Sequence, residues 1–430
     1  MASADRFHLS ADVVVVGAGS AGCSAAIAAA RMGASVILVE RLPFLGGTST
    51  AVLDTFYAFH TAGAAGRKVV SGIPDLPLNE LRKRGQVFER PNSFGSGLGY
   101  TYNPETLKIV WAALLRAAGV RILLHVLVVG ATVSSAGRLE ALALATKAGP
   151  AEVRGRAFVD AGGDADLTAY ACGSFQTDAD KLQPATLTFR MGGVDIARFK
   201  QEGRPRLKEL MAQGRQRGLN LPGTGGSLHE AVGHGIAHTA LVRISPPDIS
   251  DPGELGRVET DAYAQIDDWL TFLTTMMPGF ERAYITAIGG MSGIRESRRI
   301  VGRYVLTEED ALSGRYFDDQ VAICGAPLED LAAETTRWVH IGGQGTYGIP
   351  WRCLLPDGIA GLAVAGRNLS ATHGAHASAR SMATCMALGQ AAGTGAAMAA
   401  LSNCDLHEVP VAGLLERLRR DGATLEDPGA

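Results

Sequence analysis

The chain has 430 residues, with 40 basic and 43 acidic side chains and a formal net charge of −3. That balance leaves no broad basic field for nucleic acid, and Met1–Ser10 shows no apolar signal core. Ala391–Leu401 is an alanine and glycine run too short for a bilayer, so a cytoplasmic chain with no membrane segment, long enough for two domains, is expected.

In chain order, Val13–Val16 is an apolar run of strand formers, and Gly17-Ala18-Gly19-Ser20-Ala21-Gly22 after it fits G-x-G-x-x-G. Ala21–Met32 is Ala-rich and stops at Gly33. Ser35–Val39 is a second apolar run that closes on Glu40. Strand, tight turn, helix and strand, with an acid about 20 residues past the glycines, is the context of dinucleotide binding. Gly17 permits the turn, Gly19 lets a pyrophosphate approach the backbone, and Gly22 lets the helix pack on the sheet. The helix start at Ser20 and Ala21 offers unpaired N–H groups and a partial positive charge to the phosphates. Glu40, with Arg41 beside it, suits a ribose diol. Gly46-Gly47-Thr48 follow after a short loop. A second Gly pair at that place resembles the FAD-binding pattern of glutathione-reductase-like flavoproteins.

Val52–Lys68 and Phe94–Tyr102 mix aromatics with small residues and are expected to be loops near the cofactor. Asn103-Pro104-Glu105 starts a helix whose apolar positions are Leu107, Val110, Trp111, Leu114 and Leu115, and Gly119 ends it. Arg121–Val129 is predicted as a strand. Ala131–Ser134, Leu139–Thr146 and Val153–Val159 form a small antiparallel meander with turns at Ala136-Gly137 and Ala148-Gly149-Pro150. From Ala171 the texture changes. Tyr263, Ile266, Leu270, Leu273 and Met277 predict one long helix stopped by Pro278-Gly279. His234 and His238, four apart, would share a helix face, without a carboxylate at metal-ligand spacing. Leu362–Ala365 is a second short strand, and a loop Asn368–Ala377 leads into an Ala/Met/Gly helix. The expected organisation is an α/β fold. A Rossmann-type FAD-binding domain, with a parallel sheet plus a small antiparallel meander, is built from residues 11–170 and 351–405. An α+β substrate domain, 171–350, is inserted between them, and a tail spans 406–430. The six cysteines include no C-x-x-C pair, so no metal or cluster is expected.

Several later segments resemble the FAD-dependent oxidoreductase family of the glutathione-reductase-2-like flavoproteins. Asp160-Ala161-Gly162-Gly163-Asp164 is similar to its D-A-T-G-D turn, with glycine in place of threonine at 162. Gln183–Thr186 and Phe189–Val194 are similar to its first substrate-domain strands. Gly293-Ile294-Arg295-Glu296-Ser297-Arg298-Arg299 matches G-x-R-E-S-R-R. Ile349–Leu354, Val364–Ser370 and Gly389–Gly393 are similar to its C-terminal flavin segment. A second departure is Pro327-Leu328-Glu329-Asp330, where the family often carries Asp-x-His. The resemblance implies FAD as cofactor. It adds Val128, Ala161, Gly162, Asp164, Gly366, Arg367, Ala377 and Ser378 to the cofactor contacts.

Such a fold aims the C-terminal helix at the flavin, which places His373 and His376 beside the ring system. Arg295 either meets an anionic group of the substrate, since a guanidinium can hold a carboxylate with two parallel bonds, or belongs to a structural network with Glu296. Tyr347, in the Gly-rich run after His340, is a further candidate. The expected activity is hydride transfer between a small polar organic substrate and flavin N5, leaning to oxidation, with O2 or a diffusible acceptor taking the electrons. Alternatives are an NAD(P)H-dependent flavin monooxygenase or reductase, and a non-catalytic electron-transfer subunit. Oligomeric state and covalent attachment of the flavin stay open.

Overall fold

The computed structural model describes residues 8–63, 66–92, 95–225, 227–332, 335–427 and 429. Phe94, Ala64, Ala65 and the first seven residues, all drawn on above, lie outside that set.

The principal elements, in chain order, are β1 (His8–Val16), α1 (Ser20–Arg31), β2 (Val36–Val39), β3 (Val87–Pro91), β4 (Leu98–Tyr102) and α2 (Pro104–Ala117). Next come β5 (Arg121–Leu123), β6 (Leu127–Val133), β7 (Leu139–Thr146) and β8 (Gly149–Asp160). A second group holds β9 (Phe189–Gly192), β10 (Ser227–Glu230), β11 (Ala237–Ala240), α3 (Pro252–Met276) and β12 (Tyr284–Ile288). Last are β13 (Leu362–Val364), α4 (His373–Ala379) and α5 (Met382–Ser402).

The main sheet runs β5-β2-β1-β8-β7-β6, and β13 also pairs with β8. The pairs among β5, β2, β1, β8 and β13 are parallel, while β8–β7 and β7–β6 are antiparallel. β8 makes this possible because it is long. Its first half, 149–154, pairs with the meander, and its last residues, 158–160, pair with β13. The fold is therefore a Rossmann-type parallel sheet fused to a meander, and the two ends of the chain meet in it.

α1 and α5 pack against each other at backbone distance. A Cβ on Gly389 would lie 2.1 Å from the carbonyl oxygen of Ala21, and one on Gly393 would lie 2.0 Å from that of Ala25. That explains an Ala/Gly helix with no polar face. Nearly all of α5 is buried, so its sequence shows no amphipathic stripe.

The second sheet, β10-β11-β9-β12, is antiparallel and has its own core of buried residues from Ala185 to Phe280. Val258, Ala262, Ile266, Trp269, Phe272 and Leu273 of α3 line it. Burying a side chain such as Phe272 or Leu273 is worth about 1.5–3 kcal/mol. Buried residues from Ile300 to Tyr347, which the sequence placed with the second domain, pack into the first core instead. Among the described residues, no helix is long and apolar enough to cross a membrane.

Some local expectations are corrected. The strand expected over Arg121–Val129 is two strands, because His125 adopts a left-handed conformation (φ 58°) that breaks the run. The end of the loop expected at Phe94–Tyr102 is strand β4, paired with β3. α3 starts earlier than its apolar pattern, at a cap where the Asp251 carboxylate accepts from the Gly253 N–H at 2.7 Å. His234 lies in a turn and His238 on β11, so they share no helix face. His238 stacks on His229 across the strand pair, with ring centroids 4.6 Å apart.

Candidate functional site

β1 delivers the chain into Gly17 at φ +89°. A Cβ there would sit 2.5 Å from the Ala161 carbonyl oxygen, and one on Gly22 would sit 1.7 Å from the Gly17 oxygen. Only glycine fits either place. Gly19 differs. A Cβ on it would meet only Gly47 Cα, at 3.9 Å, and otherwise points into open space. Gly19 caps α1 without a side-chain hydrogen bond, and the buried Ser20 Oγ has no partner. Open space, uncapped N–H groups and a spare hydroxyl at the positive end of a helix fit a diphosphate.

The second Gly pair packs onto this turn. Gly46 N donates to Ala18 O at 2.7 Å, and a Cβ on Gly47 would lie 2.7 Å from Gly19 Cα. Thr48 then opens a short helix to Ala51. Glu40 is buried and fixed by backbone donors: Ala18 N to Oε2 at 2.7 Å and Leu42 N to Oε1 at 2.8 Å. Each oxygen keeps a lone pair for a ribose hydroxyl. Arg41 is exposed. Val126 N donates to Glu40 O at 3.0 Å, which brings the buried Val128 of β6 to the same edge.

The turn after β8 lies against the first. Asp160 is fully buried, and its carboxylate accepts from Gly162 N at 3.0 Å and Leu167 N at 3.1 Å. Burial, then the nearby Asp166, push its pKa up to about 7 against those bonds. Asp164 accepts from Ser297 Oγ at 2.6 Å and Arg367 Nη2 at 2.8 Å. Burial would raise its carboxyl, but Arg367 and Ser297 overcome that and hold it below the usual range. Arg298 donates to Asp164 O and pairs with Asp166. Ser297 and Arg298 thus clasp the turn that carries Ala161, Gly162 and Asp164, and Gly366-Arg367 closes it from β13. The sequence offered Arg298 only as part of the G-x-R-E-S-R-R block.

The two histidines are on a helix, not in a loop. α4 opens at His373 and is separated from α5 by Arg380-Ser381. His373 Nδ1 is 2.8 Å from Glu296 Oε2, and Nε2 is 3.3 Å from Asp330 Oδ1. The bond to Glu296 outweighs partial burial, and with the charge of both carboxylates it raises the His373 pKa. Glu296 also pairs at 3.3 Å with the fully buried Arg299, which reaches Asp178. His376, one turn on, is sealed inside. Its Nε2 donates to Arg367 O at 2.8 Å, which leaves Nδ1 without a partner, and burial drives its pKa well down. Tyr347 is fully buried, and its hydroxyl bonds Ser378 Oγ at 2.9 Å. Ser378 in turn donates to Ala326 O at 2.6 Å, and Ala377 is buried beside it. Tyr347, Ser378 and His376 therefore pin α4, while His373 keeps accessible surface.

Between the two cores lies a recess. Asp54, Tyr57, Arg295, Glu329 and Arg380 are only half-buried, although Phe56, Ala185, Leu187 and Leu328 next to them are fully buried. Arg295 Nη1 donates to Pro184 O at 2.7 Å and to Thr186 Oγ1. Burial, then neighbouring Arg380, lower its pKa to about 10. Arg380 Nη2 donates to Gln183 Oε1 at 2.8 Å, and Tyr57 Oη donates to Glu329 Oε2 at 3.4 Å. Of these groups the sequence named only Arg295 as a site residue. The others come from four further segments with no shared motif.

The sequence is 39% identical over 84 residues to the fumarate reductase (cytochrome) of Shewanella frigidimarina, over 20% of this chain and 14% of that protein. The aligned part is thus a small fraction of the curated relative. In structure the chain is similar to a geranylgeranyl bacteriochlorophyll reductase-like protein from Thermoplasma acidophilum, at TM-score 0.47 and 14% identity over 97% of this chain and 85% of that one. It is also similar to an aromatic hydroxylase from angucycline biosynthesis, at TM-score 0.47 and 14% identity, covering 95% and 65%. Residues 12–418 match the family model described as FAD dependent oxidoreductase. The chain belongs to the FAD-dependent oxidoreductase family, and its cofactor is FAD.

Proposed function

We propose that this protein oxidises a small polar organic substrate in the recess between the two cores, as a dehydrogenase or oxidase. Gly17, Gly19, Ser20, Ala21, Gly22 and Glu40 hold the nucleotide half of FAD, and Gly46, Gly47 and Thr48 back the turn. Asp164, Gly366 and Arg367 order the adjoining edge. Bound FAD would supply the two-electron acceptor, with O2 or a diffusible acceptor as the final oxidant.

The observation that carries this reading is His373, between Glu296 and Asp330 at the start of α4. Oxidation of a C–H carbon removes a hydride from that carbon and a proton from its hydroxyl or amine. Asp330, whose Oδ1 faces His373 Nε2 at 3.3 Å, takes the proton and passes it to neutral His373, and Glu296 stabilises the imidazolium that forms. Because its pKa is raised, the neutral form appears only above the ordinary histidine value of about 6.5. Turnover therefore rises with pH through a value above that point.

The test is anaerobic mixing of the FAD-loaded protein with candidate substrates while the visible flavin band is followed. Substrate should bleach the band without NADH or NADPH. Fast bleaching by NADH or NADPH alone would replace this reading with a flavin monooxygenase. His373→Ala should retain FAD and lose about 10²–10⁴-fold in the bleaching rate, and an unchanged rate would remove His373 from the mechanism.

A further inference from the structure

Three guanidinium groups meet in the recess, and the protein does not balance them. Arg90, which donates to Thr55 Oγ1 at 3.2 Å, and Arg295 and Arg380 all act on the carboxyl of Asp54, and Glu329, the other carboxylate, stands beside Arg295 and 4.0 Å from Arg380. Asp54 lies in a buried setting that favours its neutral acid. At most two negative charges therefore answer three positive ones in a partly desolvated place, where an unpaired ion is costly.

The hydrogen bonds point the same way. Gln183 is fully buried, its Oε1 is taken by Arg380, and its Nε2 has no partner. Arg380 Nε is also buried without a partner. Arg295 spends Nη1 on Pro184 and Thr186. Among the described residues, the rest of its fork donates to nothing. Spare buried donors and an excess of positive charge at one place call for an anionic acceptor.

We propose that the recess binds the carboxylate of a small organic acid, and that this acid is the substrate. Arg295 and Arg380 grip the carboxylate from two sides, and Gln183 donates a third bond. Tyr57 and Asp54 line the wall where the rest of the molecule lies. This rests on the reading of the recess as the site of oxidation, and adds the substrate's chemical class to it.

Calorimetry on the FAD-loaded protein tests the assignment, with malonate as probe, malonamide as its uncharged counterpart and inorganic phosphate as a competing anion. Malonate should bind saturably and malonamide should not. Arg380→Gln and Arg295→Gln should each weaken malonate at least tenfold, and Arg295→Lys should weaken it less than Arg295→Gln. Equal malonate affinity in the wild type and both Gln variants, no malonate binding at all, or tighter binding of phosphate would each overturn the proposal. If Arg295→Gln fails to fold, Arg380→Gln and Arg295→Lys carry the same comparison. Malonate binding can also be read as a thermal shift of the FAD-loaded protein, without any turnover. Failure of the redox reading and failure of the anion site are therefore separate results.

Discussion

At the glycines of the nucleotide turn the working parts are backbone. Gly17, Gly19 and Gly22 contribute no side chains, and their role is to let other atoms approach. In the arginine recess the working parts are side chains. Asp54, Gln183, Arg295, Glu329 and Arg380 come from five separate segments and converge by charge and hydrogen bonding. A site made of backbone is sensitive to volume and indifferent to charge. A site made of side chains is the reverse, and tolerates isosteric change except where charge is lost.

The sharpest way to break that contrast is a methyl group. Gly22→Ala puts a Cβ where the Gly17 oxygen is 1.7 Å away. The turn must rebuild, at a cost above about 3 kcal/mol and with loss of FAD. Gly19→Ala adds the same methyl where only Gly47 Cα stands, at 3.9 Å. The fold should keep its stability within about 1 kcal/mol, while FAD binds more weakly because the methyl occupies the approach of the phosphates. Melting temperature and flavin content, read on both variants, decide the matter. Equal loss of melting temperature in the two would show that Gly19, like Gly22, is there for packing.

Charge without volume is the complementary change. Glu296→Gln keeps the shape of the group that bonds His373 Nδ1 at 2.8 Å and removes its charge. The first cause of the raised His373 pKa is then weakened. A raised folded-state pKa contributes stability that is complete below the unfolded value, near 6.5, and is lost as pH rises through the folded value. Glu296→Gln should therefore lower stability at pH 6 more than at pH 9, and move the rise in turnover to lower pH. A profile that stays in place would mean that Glu296 serves Arg299 alone.

The same contrast explains what could be read from the sequence. Backbone requirements leave fixed spacings of glycine, so the turn, the Gly46-Gly47 pair and Glu40 stood out. Helix α2 was legible because Asn103 caps it through Glu105 N and Pro104 sits in its first turn. The recess was not legible, because no local spacing ties residue 54 to 183, 329 or 380. The status of the two histidines was equally hidden. His373 and His376 lie three residues apart, yet only the fold gives one a pair of carboxylates and seals the other against Arg367 O. Gly374 sits inside α4, in the segment expected to be a loop. A Cβ on it would strike the Glu308 side chain.

Gly162, the departure from the family's threonine, gives the smallest effect and a direct view of one carboxyl. Its backbone is outside the left-handed region, and a Cβ would lie 3.3 Å from Asp160 Oδ1. Threonine therefore fits after a shift of a few tenths of an ångström. Its hydroxyl would stand beside a carboxyl that burial holds at about 7. Because this value is raised, the stability it contributes is complete below about pH 4 and lost as pH climbs through 7. A hydroxyl donating to the charged form lowers the pKa and reduces that loss. In Gly162→Thr the drop in unfolding free energy between pH 5 and pH 8, measured with urea, should shrink by less than about 1.5 kcal/mol relative to the wild type. A drop that stays the same or grows would show that the hydroxyl turns away from Asp160. The family's threonine would then serve the cofactor rather than the turn.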